Sequence, residues 1–170
     1  ALDGELVTNA RAILNETPLA DRIYGQLKRE GLGEGFEDFR LDTAGGDLAA
    51  QVLVRRSGKP LSEGIPALYT YAGYRRGFEP AVERLLGAVA QDGWVLGPQA
   101  QLKPGTPEAD RLVRAIQTRY FEDYASAWND LLADVELTPA GDLKKAAQIA
   151  RILADPQDSP LRRLLVAAAD

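Results

Sequence analysis

The sequence predicts a mainly α-helical fold, an antiparallel helical bundle around one long central helix at about residues 107–136. Residues 108–136 contain no Gly or Pro, and their apolar residues recur at steps of three and four, which places them on one helix face. Four Thr-Pro or Ser-Pro pairs mark helix starts along the chain. Short connections between successive helices favour antiparallel neighbours. The exception is a segment at about 36–66, which is predicted to be irregular or to contain short strands.

Two helices are predicted before residue 31. Apolar residues at helical spacing run from Leu2 to Leu14. Thr17-Pro18 then supplies a cap and a first helical residue, and a second helix runs to about Glu30. Three glycines, at 31, 33 and 35, end this helix. Because the G-x-G-x-G run follows a helix and is not followed by Lys-Ser/Thr, we interpret it as a turn rather than a phosphate loop.

Residues 36–91 change from weak to clear helical periodicity. Residues 47–54 are predicted as a short helix, and turn signals occur at Ser57-Gly58 and at Gly64-Ile65-Pro66. Paired strands around Ser57-Gly58 are an alternative prediction for this segment. Residues 67–91 are predicted as helix, with a kink or a restart at Pro80, which has no backbone N–H. Asp92-Gly93 is the predicted end of this helix.

The long helix has the clearest start. Thr106 is predicted to cap it, Pro107 fits the first helical position, and Glu108 complements the positive end of the helix dipole. A helix of about 29 residues is roughly 43 Å long, so its apolar face needs partners. We interpret that face as core rather than as a binding surface. It contains Leu112, Val113, Ile116, Tyr120, Phe121, Tyr124, Ala127, Trp128, Leu131, Leu132 and Val135.

Two further helices are predicted after the long one, starting at Thr138-Pro139 and at Ser159-Pro160. The apolar positions of the last helix are Leu161, Leu164, Leu165 and Ala168. Residues 1–170 are therefore expected to form one helical domain. Because the chain contains no Met, even at position 1, we expect it to be excised from a longer protein.

The composition excludes several classes of function. The formal net charge is −5, whereas nucleic acids and anionic membrane surfaces need a basic partner. The chain has no His and no Cys, which removes the common transition-metal ligands and the His-activated and thiol nucleophiles. No apolar run approaches the ~20 residues that span a bilayer. We predict no cofactor, no transition metal, no nucleic-acid partner and no direct membrane insertion.

Four carboxylates on the long helix support one alternative function, a small helical enzyme or a carboxylate metal site. They are Glu122, Asp123, Asp130 and Asp134. Asp130 and Asp134 are four residues apart on one helix face, a spacing that allows two carboxylates to bind one cation or to act as acid and base. A solvated face is favoured, because both pairs flank the apolar stripe. No catalytic or metal-binding residue is therefore assigned.

Aromatic and basic residues between positions 69 and 76 support a second alternative. Tyr69, Tyr71, Tyr74, Arg75 and Arg76 lie close together in the sequence, and Tyr and Arg are enriched at interface hot spots. We interpret these five residues as a candidate partner-binding set. A general peptide-binding adaptor would use the same aromatic surface.

Four segments, in order, resemble the IcmF/TssM family, the large inner-membrane core component of bacterial type VI secretion. They are IPALYTYAGY at 65–74, DGWVLG at 92–97, a Y-x-x-D-Y-x-x-x-W-x-x-L-L-x-D pattern at 120–134, and SPLRRLL at 159–165. The order and spacing match over about residues 60–166. Residues 1–59 resemble the family less specifically.

The resemblance implies a non-enzymatic scaffold module of the type VI secretion membrane core complex. It implies the helical part of the periplasmic region of a membrane-anchored, inner-membrane protein, with transmembrane helices upstream. The expected partners are other copies of the same protein and other proteins of the membrane complex. The outer-membrane lipoprotein TssJ is expected to contact a β-rich domain further downstream.

Overall fold

A computed structural model of the chain describes residues 19–91 and 105–169, and the described fold is mainly helical, as predicted. Helix α1 covers residues 19–29. The other α-helices are α2 (Leu41–Gly45), α3 (Ala49–Val52), α4 (Glu79–Gln91), α5 (Pro107–Asp134), α6 (Leu143–Leu153) and α7 (Pro160–Ala169). A 3-10 helix (Ala67–Tyr69) and a π-helix (Gly73–Phe78) precede α4, and two short strands are β1 (Leu53–Arg55) and β2 (Val135–Leu137).

Helix α5 begins where the sequence predicts it. The Thr106 side chain accepts a hydrogen bond from the backbone N–H of Ala109 at 3.3 Å, and Pro107 is the first helical residue. The helix ends at Asp134, two residues before the predicted end, because Val135 adopts an extended backbone (φ −80°, ψ 132°) and begins β2. The apolar residues keep helical spacing up to Val135, so the sequence does not indicate the change from helix to strand.

Strand β2 pairs with β1 in an antiparallel two-stranded sheet, with Leu53 opposite Leu137 and Arg55 opposite Val135. The prediction of a short helix over 47–54 is therefore right only for the four residues of α3. The alternative of paired strands around Ser57-Gly58 is wrong, because the partner of β1 comes from the end of α5. The predicted irregular segment also forms one isolated bridge between Phe39 and Ile65.

The Ser-Pro and Thr-Pro pairs predict the start of α7 correctly and the start of α6 incorrectly. Helix α7 begins at Pro160, as predicted, and Ser159 before it is buried. Helix α6 begins at Leu143 instead of Pro139, because Thr138 donates its backbone N–H to the Val52 carbonyl at 2.9 Å and extends the sheet contact. Asp142 then caps α6 by accepting from the Lys145 N–H at 2.7 Å. The predicted start at Thr17-Pro18 and the predicted end at Asp92-Gly93 lie outside the described residues.

The helix before Pro80 widens into a π-helix. The backbone N–H of Glu79 donates to the carbonyl of Tyr74, five residues earlier, and α4 follows directly. Proline lacks an N–H and its ring crowds the preceding turn, and a π-turn gives that ring more room. A wider turn therefore replaces the kink or restart that the sequence predicts at Pro80.

Three clusters of buried apolar residues hold the described part of the chain together. The largest cluster lies between α1, the π-helix, α4 and α5. Its members are Ala20, Ile23, Tyr24, Leu27, Leu32, Phe78, Ala81, Val82, Leu112, Ile116 and Tyr120. The second cluster joins α3, β1 and α6, and the third joins Leu41, Ile65 and Leu131.

The predicted core face of α5 is correct along only part of its length. Tyr120 is fully buried, whereas Tyr124 and Trp128 are half-buried. Leu132, one turn further on, is 64% exposed and is not core, and Phe121 is exposed as well. Leu131 remains buried near the end of the helix, so the predicted face contains exposed and buried members along its length.

Gly73 and Gly87 provide a matched pair of substitutions that tests the contact between the 3-10 turn and the π-helix. A Cβ on Gly73 would lie 2.0 Å from the Ala67 carbonyl oxygen, whereas no described atom outside the backbone of its own helix lies within 4 Å of a Cβ on Gly87. We expect Gly73→Ala to lower the free energy of unfolding by about 1–3 kcal/mol, the usual cost of overpacking. Gly87→Ala should be neutral or stabilise by up to about 1 kcal/mol, because Ala favours helix. Urea unfolding of both variants measures the difference, and equal midpoints would contradict the described contact.

Candidate partner-binding surface

The segment that follows Ile65 is held on α5 by two side-chain donors. The Tyr120 hydroxyl donates to the Leu68 carbonyl at 2.7 Å, and the Trp128 indole N–H donates to the Tyr69 carbonyl at 2.9 Å. The Tyr120 ring also stacks on Phe78, with 4.1 Å between ring centroids. Two of the segments that resemble the IcmF/TssM family, 65–74 and 120–134, therefore pack directly against each other.

Asp123 connects α5 to α1 and to the 3-10 turn. Its Oδ2 atom accepts hydrogen bonds from the Tyr24 hydroxyl at 2.9 Å, from the Tyr69 hydroxyl at 3.1 Å and from the Lys28 ammonium at 2.9 Å. The sequence favours a solvated role for this carboxylate. Its actual partners come from elements far away in the chain, so local spacing gives no signal for them.

The electrostatics of this cluster keep the carboxylate charged and the tyrosines protonated. Burial alone raises the pKa of Asp123, but hydrogen bonds from Lys28, Tyr24 and Tyr69 outweigh it and hold the pKa below its usual value. Burial, reinforced by hydrogen bonds to Tyr69 and Asp123, raises the pKa of Tyr24 far above its ordinary value. The hydrogen bond to Asp123 also raises the pKa of Lys28. At neutral pH the cluster is a carboxylate with three donors, which is a structural clamp.

The structure divides the five predicted partner-binding residues into two groups. Tyr69 and Tyr74 are half-buried and pack against the main core cluster. Tyr71 is 61% exposed, and Arg76 is exposed with its guanidinium 5.1 Å from the centre of the Phe36 ring. Arg75 is also exposed, but it forms an ion pair with Glu79 at 2.7 Å.

Tyr71 and Arg76 line one open cleft of about 470 Å³. The cleft lies between the segment after Gly35, the start of the π-helical region, α5 and the end of α7. Its other aromatic walls are Phe36, Phe39, Tyr124 and Trp128, and its carboxylates are Glu37 and Asp38. The cleft combines exposed rings with charges of both signs, a composition that suits protein contact.

The four carboxylates that suggest an enzyme or a metal site are not brought together. Glu122 pairs with Arg119 at 2.9 Å, and Asp130 lies 3.5 Å from the Ser126 hydroxyl. Asp123 belongs to the clamp described above. Within residues 19–91 and 105–169, no group of three or more His, Cys, Asp or Glu side chains is placed to hold a metal ion.

Asp134 has a structural role at the junction of α5 with the sheet. Its carboxylate accepts from the Arg55 guanidinium at 2.7 Å, from the Ser57 backbone N–H at 2.7 Å and from the Ser57 hydroxyl at 2.6 Å. Hydrogen bonds from Ser57 lower the pKa of Asp134, and the charge of Arg55 adds to the effect. The Asp134 carboxylate therefore fixes the end of β1 and the loop that follows it.

Helix α7 has an exposed apolar area that the five candidate partner-binding residues predicted from the sequence do not include. Leu161 and Leu165 are exposed although the sequence places both on the apolar face of the last helix. They lie beside Leu132 of α5, also exposed. The signal is present in the apolar stripes of α5 and α7, but a stripe alone does not show whether another element covers it.

The described part of the chain is a helical module with an exposed aromatic cleft, and its four candidate carboxylates lie apart. Residues 1–170 match the family model described as "IcmF-related: Intracellular multiplication and human macrophage-killing". The chain is 39% identical over 168 residues to the type VI secretion system component TssM1 of Pseudomonas aeruginosa PAO1. This chain therefore belongs to the IcmF-related family, and the resemblance seen in the sequence is confirmed.

The alignment with TssM1 covers 99% of this chain but only 15% of TssM1. No solved structure matches the chain. In the described part of the chain, no helix is both long enough and apolar enough to cross a membrane.

The clamp predicts a specific pH dependence. Because the folded pKa of Asp123 is lowered, its stabilising contribution is present above the unfolded pKa of about 4 and is lost as pH falls through the folded pKa. Asp123→Asn should therefore lower the urea midpoint at about pH 7, and its difference from the wild type should shrink toward about pH 3. Asp130→Asn is the matched control, since Asp130 is exposed, and it should change the midpoint little at either pH. A constant difference between Asp123→Asn and wild type across this range would contradict the clamp.

Proposed function

We propose that this chain is a non-enzymatic structural module of a bacterial type VI secretion membrane core complex. The observation that carries the proposal is the 39% identity to TssM1 along 99% of this chain. In this proposal the module is a helical scaffold that connects proteins of the complex. Its core residues maintain the shape of the module, and its surface makes the contacts.

The arrangement of charged groups supports a non-enzymatic role. The sequence has no His or Cys to act as nucleophile, general base or soft metal ligand at neutral pH. Asp123 and Asp134 each accept several hydrogen bonds that fix neighbouring elements. Carboxylates whose oxygens are committed to structural donors are poorly suited to proton transfer, so the enzyme alternative is the weaker proposal.

The proposed location is the periplasmic region of an inner-membrane protein, which follows from the family resemblance. The proposed partners are other copies of the same protein and other proteins of the secretion membrane complex. Contact with the lipoprotein TssJ is proposed for a domain downstream of this module. A net charge of −5 supports partners other than nucleic acid.

The cleft is the proposed contact surface, with Tyr71 and Arg76 as its central residues. Tyr71 is exposed and has an apolar ring with a polar end, and Arg76 forms no ion pair within the described residues. Both properties are typical of residues that gain a partner on assembly. The cleft also favours the second candidate function, a general peptide-binding adaptor, because its walls are preformed by the core.

Charge reversal in the cleft tests this proposal. Arg76→Glu should leave the urea midpoint of the isolated chain within about 0.5 kcal/mol of wild type, because surface changes are usually small. In the native organism, with the variant replacing the wild-type gene, Arg76→Glu should reduce co-purification of the membrane complex and secretion. Tyr71→Ala should act in the same direction.

Arg151→Glu on α6 is the matched control, since Arg151 is exposed and does not line the cleft. It should leave complex assembly unchanged. Normal assembly with both Arg76→Glu and Tyr71→Ala would exclude the cleft as the contact surface. Normal secretion after deletion of the whole 170-residue segment would exclude the scaffold role itself.

A further inference from the structure

An apolar groove lies between the end of α5 and α7. Its floor contains the buried Leu41 and Leu131, and its walls include Leu132, Leu161 and Leu165. The volume of the groove is about 270 Å³. Leu165 is 75% exposed. Helix α7 therefore packs on the domain with one face and exposes further apolar side chains to solvent. Contiguous exposed apolar side chains of this kind are typical of interaction sites.

The groove lies next to the aromatic cleft. Phe39 and Trp128 line both cavities, and their ring centroids are 4.8 Å apart. Trp128 is fixed by its hydrogen bond to the Tyr69 carbonyl. The two cavities therefore adjoin at these rings, with the apolar groove on the Leu165 side and the polar cleft on the other.

The polar end carries more negative than positive charge. Glu37 is exposed and forms no ion pair in the described part of the chain, and Asp38 uses one oxygen to accept from the Ala67 N–H at 2.8 Å. Among the described residues, Arg76 is the one cation that lines the cleft, and its guanidinium lies over the Phe36 ring. The nearby Arg40 is held by Asp42 at 2.8 Å. The described lining of the cleft thus contains two carboxylates and one guanidinium, a charge balance that favours one additional positive group.

We propose that the groove and cleft together bind an amphipathic helical segment of a partner protein whose apolar face ends in a Lys or Arg. Side chains at i, i+3, i+4 and i+7 spacing fill an apolar groove in this mode of recognition. The apolar residues contact Leu132, Leu161 and Leu165, and the cation reaches Glu37. The inference rests on the proposed scaffold role and names the chemistry of its partner. A second copy of this chain is the less suitable occupant, because two copies of net charge −5 repel each other.

Trp128 is a built-in reporter for this proposal. The chain has two tryptophans, and Trp94→Phe leaves only the one at the junction of groove and cleft. The probes are two synthetic amphipathic helical peptides with the same leucine pattern, one with lysines and one with glutamates on the polar side. The leucine–lysine peptide should shift Trp128 emission and bind with micromolar affinity, and the leucine–glutamate peptide should bind about tenfold more weakly.

Three variants locate the binding. Leu165→Asp should abolish binding of both peptides, while Leu143→Asp should have no effect, because Leu143 is 89% exposed on α6 and lies outside the groove. Glu37→Lys should reverse the preference between the peptides. Urea unfolding of each variant establishes that the chain is folded under the binding conditions.

Several outcomes would overturn the proposal. Equal binding of the two peptides would show that charge plays no part, and binding that survives Leu165→Asp would place it elsewhere. A concentration-dependent dimer that Leu165→Asp dissolves would assign the groove to a second copy. The proposed scaffold role is tested separately: if Leu165→Asp prevents assembly of the membrane complex in cells while the peptides are not distinguished, the scaffold role stands and this inference fails.

Discussion

The packing of Tyr120 against Phe78 is the interaction on which the rest of the described structure depends. It is a stacked contact at 4.1 Å between a residue in the middle of α5 and the last residue of the π-helix. Both side chains are fully buried. The Tyr120 hydroxyl also donates to the Leu68 carbonyl. One side chain therefore positions both the 3-10 helix and the π-helix on α5.

This arrangement explains why much of the family-like pattern is structural. Tyr120, Asp123 and Trp128 each bind a backbone or side-chain group of the 3-10 turn, and Asp123 also binds α1. Their polar groups are therefore used within the fold, although the half-buried Trp128 ring also lines the cleft. Tyr71, Arg76 and the exposed leucines of α7 lie next to that scaffold, where a rigid core positions them. Among the family-like residues, the buried ones thus stabilise the fold, and the exposed ones are available for the proposed assembly role.

The sequence predicts what depends on neighbouring residues and misses what depends on distant ones. The starts of α5 and α7 follow from their own Thr-Pro and Ser-Pro signals. Strand β2 and the late start of α6 depend on pairing with β1, which no local pattern reports. The Asp123 clamp is likewise missed, because Tyr24 and Lys28 come from the other end of the chain. Of the candidate site, the sequence predicts Tyr71 and Arg76, and it misses the exposed leucines.

A double-mutant cycle on Phe78 and Tyr120 tests the central contact most directly. The free energy of unfolding is measured in urea for Phe78→Leu, for Tyr120→Leu and for the double variant. We expect a coupling energy of about 1 kcal/mol, because a close aromatic pair contributes beyond the area that each ring buries. Additive effects of the two substitutions, within about 0.3–0.5 kcal/mol, would show that α5 and the π-helix are stabilised independently of this contact and would contradict its central role.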